Sequence, residues 1–204
     1  MDMLEQEFIK EVENNNIEKV SKLLESNKEF NIDFQDDKGN TMLHIVKSPE
    51  MAELLLKNGI NAAIQNNDCM TAFGKFFERI YIINMERICD SLLKNGIDIN
   101  AAAYYDEAPV TKIANNSATL TTNIEQMSYL LKNKADINIK NSQGYTPLML
   151  SVMQNNIDMV RLLLDSGADA NILDNKGRNA KKIGEDMMAT GYFAPALKTI
   201  ISLL

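Results

Sequence analysis

Cysteine, histidine and tryptophan are nearly absent from this chain. Its 204 residues include two cysteines, Cys69 and Cys89, one histidine, His44, and no tryptophan. Two cysteines far apart indicate reduced thiols inside a cell rather than a disulfide framework. Together with a single histidine at irregular spacing they fall short of a zinc pattern. We therefore expect no metal and no cofactor.

Long apolar runs and excess positive charge are also missing. No apolar run approaches the roughly 18 residues of a membrane span, and the acidic first residues do not resemble a secretory signal. Residues 1–68 hold 14 acidic and 7 basic side chains, whereas residues 69–204 hold 14 of each. Nucleic acid requires a basic face. We expect no nucleic-acid or membrane partner and a cytoplasmic protein, with signal-less secretion left open.

A repeat of 33 residues organises the sequence. Asp-Ile-Asn at residues 136–138 returns as Asp-Ala-Asn at residues 169–171. A period of this length indicates stacked structural repeats. Within it, Gly144 ends a tight turn where a positive φ is expected, and Thr146 and Pro147 begin a helix. One such helical hairpin cannot bury its own apolar faces, so neighbouring copies must cover them.

The unit at residues 136–171 resembles an ankyrin repeat. It carries Gly-Tyr-Thr-Pro-Leu at 144–148, Leu-Leu-Leu at 162–164 and Gly-Ala-Asp at 167–169. The resemblance extends over essentially the whole chain. It implies an all-α, ankyrin-type helical repeat solenoid of about six repeats, with capping repeats at both ends. The expected single domain, residues 1–204, divides into approximate repeats at 1–35, 36–65, 66–102, 103–140, 141–173 and 174–204.

Three repeats depart from the pattern. In the second, Pro49 is expected to start the second helix early. In the third, Cys69 occupies the place of the turn glycine, so this turn is expected to be the least regular. Its first helix is expected to be long and aromatic, with Phe73, Phe76, Phe77, Ile80 and Ile83. In the fourth, Asp106 replaces the turn glycine, and residues 115–122 are expected to form a loop.

The few reactive residues do not predict an enzyme. His44 matches the histidine of the family's Thr-Pro-Leu-His entry, where the imidazole joins neighbouring turns, and it has no nucleophile or metal partner at suitable spacing. Cys89 is expected to be a buried small hydrophobe and Cys69 to be exposed. We expect no catalytic activity, although an enzyme with an unrecognised site is left open as the weakest alternative.

The resemblance implies that the chain binds another protein, as an adaptor, inhibitor or effector. In ankyrin arrays the turn tips and the exposed side of the first helices line a concave groove that binds proteins. By position, the predicted partner-binding residues are Lys38, Asn40, Asn67, Asp68, Met70, Tyr104, Tyr105, Glu107, Ser142, Gln143, Tyr145, Lys176 and Arg178.

Three tyrosines, Tyr104, Tyr105 and Tyr145, are predicted to form the centre of that surface, because tyrosine offers a large contact area for little lost entropy. The alternative is that these rings pack on adjoining turns. We expect a monomer. A self-assembling structural protein is the alternative function, and light scattering at two concentrations would distinguish it.

Overall fold

The computed structural model describes residues 2–77, 85–101, 107–116, 121–191 and 195–204. Over these ranges the chain forms short helices and turns without a β-strand, which confirms the all-α prediction. The helices are α1 (Met3–Glu13), α2 (Ile17–Ser26), α3 (Pro49–Lys57), α4 (Ala72–Phe77), α5 (Met85–Lys94), α6 (Pro109–Ala114), α7 (Thr121–Lys132), α8 (Pro147–Met153), α9 (Ile157–Asp165), α10 (Ala180–Ala189) and α11 (Pro195–Leu203).

The chain divides into two compact units, Met1–Asp106 and Glu107–Leu204. The single domain, the repeat count and the repeat boundaries stay predictions. None of the helices in the described ranges is both long and apolar enough to cross a membrane.

The first unit begins with the α1–α2 hairpin. Asp2 starts α1: its side chain accepts the Glu5 N–H at 2.8 Å, while the Glu5 carboxylate accepts the Asp2 N–H at 2.7 Å. This reciprocal pair satisfies two N–H groups that a helix start leaves unpaired. Phe8 is fully buried and contacts Phe30 and Phe34, with ring centroids 4.9 and 6.2 Å away. The hairpin therefore has its own aromatic core.

The second hairpin of this unit is shortened. Its first helix is reduced to one 3₁₀ turn, Met42–His44, and α3 begins at Pro49. This confirms the predicted early start, which is set by Pro49 at the first helical position and by the Ser48 hydroxyl that accepts the Met51 N–H. The same hydroxyl donates to Asn15 Oδ1 at 2.8 Å and ties α3 to the preceding hairpin.

The third hairpin is aromatic, as predicted, over its described residues. Phe73, Phe76 and Phe77 are buried in α4, and the rings of Phe73 and Phe77 stack with centroids 5.5 Å apart. Ile80 and Ile83, the rest of the predicted aromatic helix, lie outside the described residues.

The second unit follows the sequence prediction closely. Thr146 accepts the Met149 N–H, Pro147 is the first residue of α8, and Asn155 separates α8 from α9 with φ 56°. Gln154 Nε2 donates to Asn115 Oδ1 at 3.0 Å and joins this hairpin to the one before it. Of the predicted loop at residues 115–122, Asn115 and Asn116 follow α6 and α7 already begins at Thr121, whereas residues 117–120 lie outside the described residues.

The last two helices of the chain close the core of the second unit. Ile183 of α10 and Leu197 and Ile200 of α11 are buried. Gly184 lets these helices approach: a Cβ there would lie 3.0 Å from Ile201 and 3.4 Å from Val152 of α8. A larger residue at 184 would therefore push α10 away from both neighbours.

Candidate functional site

Four turns are built on one plan. They occupy residues 36–40 and 66–70 in the first unit and residues 141–145 and 174–178 in the second. In each turn the first N–H donates to the carbonyl of the fifth residue, and the fourth N–H donates to the carbonyl of the first. Two backbone bonds thus close a five-residue reversal of the chain.

An Asp or Asn side chain at the first position anchors each turn. Its Oδ1 accepts the N–H groups of the third and fifth residues, over N–O distances of 2.8 to 3.1 Å. Such a side chain replaces backbone partners and fixes the loop. The anchors are Asp36, Asn66, Asn141 and Asp174. The sequence analysis missed them, although an Asp or Asn three residues before the turn Gly or Cys is a usable signal.

The fourth turn position has left-handed backbone. Gly39, Gly144 and Gly177 have φ values of 72°, 81° and 75°, and Cys69 has φ 54°. The expectation that the Cys69 turn is the least regular is therefore wrong. The Asn66 side chain supplies the same two bonds as the other anchors, so the turn keeps its shape although a non-glycine residue is disfavoured there.

The two turns of the first unit stack directly on each other. A Cβ on Gly39 would lie 2.7 Å from the Asn67 backbone nitrogen, a distance that real Cβ atoms do not reach. Asn67 donates its N–H to Lys38 O at 3.0 Å and its side-chain amide to Asp37 O at 3.1 Å. The side chain of Asn67, predicted to contact a partner, is thus engaged in stacking even though the residue is exposed.

Asn40 was predicted to lie on the binding surface, and the structure corrects this. Its side chain is only 3 % exposed. It donates to Asp36 Oδ2 at 3.1 Å and accepts from Asn66 Nδ2 at 3.0 Å and from Lys75 Nζ at 3.1 Å. The turn stack encloses Asn40, which acts as a buried connection between two turns and α4.

His44 joins the same two turns, as predicted. Its Nδ1 lies 2.9 Å from Thr41 Oγ1, and its Nε2 lies 3.0 Å from the carbonyl oxygen of Met70 in the next turn. The imidazole is 1 % exposed. It is a structural link between turns rather than a group facing solvent.

The turns of the second unit are joined by charged groups. A Cβ on Gly144 would lie 2.9 Å from the Asn175 backbone nitrogen, so the turns again touch. Arg178 Nη2 contacts Asp174 Oδ2 at 2.8 Å and the Tyr145 hydroxyl at 3.5 Å. Burial pushes the pKa of Asp174 up, but the hydrogen bonds from Arg178 and Lys176 outweigh it and lower the pKa below its usual value.

The described residues offer little chemistry beyond these contacts. They contain no group of three or more His, Cys, Asp or Glu side chains that could hold a metal ion. Cys69 is exposed and Cys89 is buried, as predicted, and burial raises the pKa of the Cys89 thiol far above its usual range. A buried, protonated thiol is a poor nucleophile.

Comparison with protein families agrees with this geometry. Residues 79–174 match the family model described as ankyrin repeats (3 copies). The matched segment, residues 79–174, is similar to ankyrin repeats. Ankyrin repeats generally mediate protein–protein interaction, and the fold is typically a non-enzymatic scaffold. Among curated protein sequences, none matches the chain.

Several solved structures share the fold over nearly the whole chain. One is the ankyrin repeat protein EF0377, with 25% identity, a TM-score of 0.66 and a match over 96% of each chain. Another is the ankyrin repeat domain of Bcl-3, a member of the IkappaB protein family, with 22% identity, a TM-score of 0.72 and coverage of 96% and 84%. A third is a chain from the complex of the Bdellovibrio bacteriovorus endopeptidase Bd0816 with immunity protein Bd3460, with 23% identity, a TM-score of 0.62 and coverage of 94% and 96%.

In the four turns the third position differs from the others. Its residues, named here the tip residues, are Lys38, Asp68, Gln143 and Lys176. All four are exposed, and their N–H groups are held by the anchors. Within the described ranges their side chains make no hydrogen bond or ion pair. A fixed backbone therefore presents an uncommitted side chain at each tip.

The other predicted site residues divide by burial. Asn67 and Ser142 are exposed, whereas Met70, Glu107, Tyr145 and Arg178 are half-buried. Tyr104 and Tyr105 lie outside the described residues, so the predicted tyrosine centre stays a prediction. Tyr145 contacts Arg178 of the next turn, which supports packing for that ring while leaving part of it accessible.

Proposed function

We propose that this chain binds another protein through its turn tips. The observation that carries the proposal is the shared state of the tip residues: exposed, without side-chain bonds in the described structure, and fixed through the backbone. A side chain whose backbone is already ordered loses less entropy on binding than one on a loose loop. The anchors therefore pre-organise the surface before a partner arrives.

The second unit offers the better-defined surface. Ser142 and Gln143 on one tip and Lys176 on the next are exposed, and the half-buried Tyr145 and Arg178 lie beside them. The guanidinium of Arg178 is held by Asp174 and is 3.7 Å from Asp186, so it is a fixed polar contact. An aromatic ring and an arginine are residue types favoured at protein interfaces.

The fold of the comparison structures supports the same class of function. One of the similar chains comes from a complex between an endopeptidase and an immunity protein. Another is a domain of an IkappaB family member. The role as adaptor, inhibitor or effector is part of the proposal, and the partner is defined only as a protein.

Two tip variants test the proposal, one for each unit. They are Gln143→Ala/Lys176→Ala and Lys38→Ala/Asp68→Ala. The control is Lys132→Ala/Arg161→Ala, which removes two exposed cations from α7 and α9. The wild-type chain is immobilised, proteins retained from the native lysate are identified, and each purified candidate is titrated against all four chains.

We expect at least one tip variant to bind about tenfold more weakly or worse, with the control unchanged, as for a central interface residue. Equal affinity for all four chains would move the binding surface away from the tips. If no candidate binds the wild type when purified, the protein-binding function is wrong. Light scattering at two concentrations would show growth of the chain's own assemblies if it is instead a self-assembling structural protein.

A further inference from the structure

The single histidine lies where the two turns of the first unit meet. His44 is 1 % exposed and contacts Thr41 on one side and the carbonyl of Met70 on the other. Thr41 follows the first turn and immediately precedes the 3₁₀ turn Met42–His44, and Met70 is the last residue of the second turn. At the positions equivalent to His44, the repeats of the second unit have Thr111, Met149 and Lys182.

The contacts of His44 define its protonation. The Met70 carbonyl can only accept, so Nε2 must carry a hydrogen. The Thr41 backbone N–H can only donate, and it points at Nδ1 from 3.2 Å, so Nδ1 must be unprotonated. The neutral imidazole with hydrogen on Nε2 satisfies both contacts, and the Thr41 hydroxyl can also donate to Nδ1 at 2.9 Å.

A second proton on His44 breaks this arrangement. The new Nδ1–H would face the Thr41 N–H donor, and Thr41 is fully buried, so its N–H would lose its acceptor without gaining water. An unpaired buried donor destabilises the local structure. The Thr41 hydroxyl could still accept from Nδ1–H, but the backbone bond would be lost.

The charged surroundings of His44 also oppose protonation. Burial lowers its pKa, and Lys75 of α4 acts in the same direction, against the Met70 carbonyl and Asp36, which favour the charged ring. The α3 helix also packs against the 3₁₀ turn that contains His44. The charged side chains of α3, which are Glu50, Glu53 and Lys57, are exposed. Protonation therefore becomes easier when the turns separate and water reaches the ring.

We propose that the paired turns at residues 36–40 and 66–70 form an acid-sensitive joint, which opens when His44 takes up a second proton. Opening would break the hydrogen bond that the Asn67 N–H donates to the Lys38 carbonyl. Lys38 and Asp68 would then no longer be held at a fixed distance from each other. The first unit would then lose its paired tips at mildly acidic pH, whereas the second unit, with no histidine, would keep its own.

The direction of the effect follows from proton linkage. The open state binds a proton near the ordinary histidine pKa of 6.5, and the closed state binds it only at lower pH. The closed joint is therefore fully stable above about pH 6.5 and loses stability as pH falls below it. One proton changes the opening equilibrium by up to about tenfold per pH unit.

Nuclear magnetic resonance can test this, because one histidine gives one imidazole Cε1–H signal. We expect this signal to show the neutral ring with hydrogen on Nε2 at pH 7 and to titrate with a midpoint below 6.5. Hydrogen-exchange protection of the Asn67 amide, corrected for the intrinsic effect of pH, should fall as pH decreases from 7 to 5. Protection of the Gln143 and Tyr145 amides should stay constant over this range.

The variant His44→Gln separates titration from structure, since its amide can donate to Met70 and accept from Thr41 without taking up a proton. Its Asn67 protection should not depend on pH between 7 and 5. If the variant loses protection as the wild type does, another group controls the joint. A wild-type midpoint at or above 6.5, or constant Asn67 protection, would overturn the proposal even if His44→Gln fails to fold.

Discussion

The two pairs of turns have one shape and two kinds of connection. In the first unit the turns are joined through buried neutral groups, Asn40 and His44, together with Lys75. In the second unit they are joined through Arg178, whose side chain is 25% exposed, and the Tyr145 hydroxyl. Turn geometry is thus set by the anchors, and the connection between turns is left to side chains that differ in their response to pH, salt and mutation.

The largest expected effect is a clash at the stacked glycines. Gly39→Ala and Gly144→Ala should each lower the free energy of unfolding by about 2–4 kcal/mol, because a Cβ would strain the left-handed backbone and overlap the next turn. Gly177→Ala is the matched control: its φ is 75°, but nothing lies within 4 Å of the added carbon. Chemical denaturation should therefore show a loss of only about 1–2 kcal/mol for the control. Equal losses at all three sites would mean that the turns do not touch.

Removing the buried amide of Asn40 tests the connection in the first unit. Asn40→Ala should lower the free energy of unfolding by about 1–3 kcal/mol, because the buried amide of Asn66 would lose its acceptor and the half-buried carboxylate of Asp36 would lose a donor. The equivalent residue in the second unit is Tyr145, and Tyr145→Phe removes only a long contact to Arg178. We expect urea unfolding of Tyr145→Phe to lie within about 0.5 kcal/mol of the wild type. A larger loss for Tyr145→Phe than for Asn40→Ala would show that water reaches the Asn40 side chain between the stacked turns.

Asp174→Asn tests the charged connection in the second unit. An Asn anchor keeps the turn, as Asn66 and Asn141 show, but gives up the ion pair with Arg178. The wild-type pKa is lowered, so the folded state binds fewer protons than the unfolded state below the ordinary value of 3.8. The stabilisation is complete above that pH and is lost as pH falls through the lowered pKa. We expect urea unfolding to show that the variant loses about 1 kcal/mol of the free energy of unfolding at pH 7, and that this loss shrinks as pH falls below 3.8 through the lowered pKa. A loss that does not change with pH would assign the effect to packing.

The smallest expected effect is a gain. Cys69→Gly should raise the free energy of unfolding by about 0.5–1 kcal/mol, because glycine accepts φ 54° without steric cost. Cys69→Ala keeps the strain and serves as the control, with no expected change in thermal unfolding. A destabilised Cys69→Gly would show that the exposed side chain makes contacts that compensate for the backbone strain.

Local signals predicted the helices well. Thr146 and Pro147 act within three residues of their own positions, and each does what its residue type favours. The early α3 start at Pro49 was equally visible, because proline at a first helical position is a local preference. The family resemblance then supplied the stacking that no local signal contains.

Two predictions were wrong, those for Asn40 and for the turn at Cys69. In each case the deciding contact came from a side chain that is distant in sequence or was not recognised as an anchor. Asn40 was expected at the surface because its position in the turn looked exposed, but it is buried by Asn66 and Lys75, 26 and 35 residues away. An irregular turn was expected at Cys69 because glycine was assumed to be essential at the fourth turn position. The Asn66 anchor, three residues earlier, makes that turn form without it. Side-chain anchors and contacts between repeats therefore decided what residue type alone could not.

The separation between anchor and tip has a consequence for how such a chain can change over generations. The anchor at the first turn position fixes the backbone, while the third position carries the exposed side chain. A substitution at Gln143 alters what a partner meets but removes no bond that closes the turn. On the proposed function, the residues that meet a partner differ from the residues that close the turn, so substitutions at the tips can change binding while the turn stays closed.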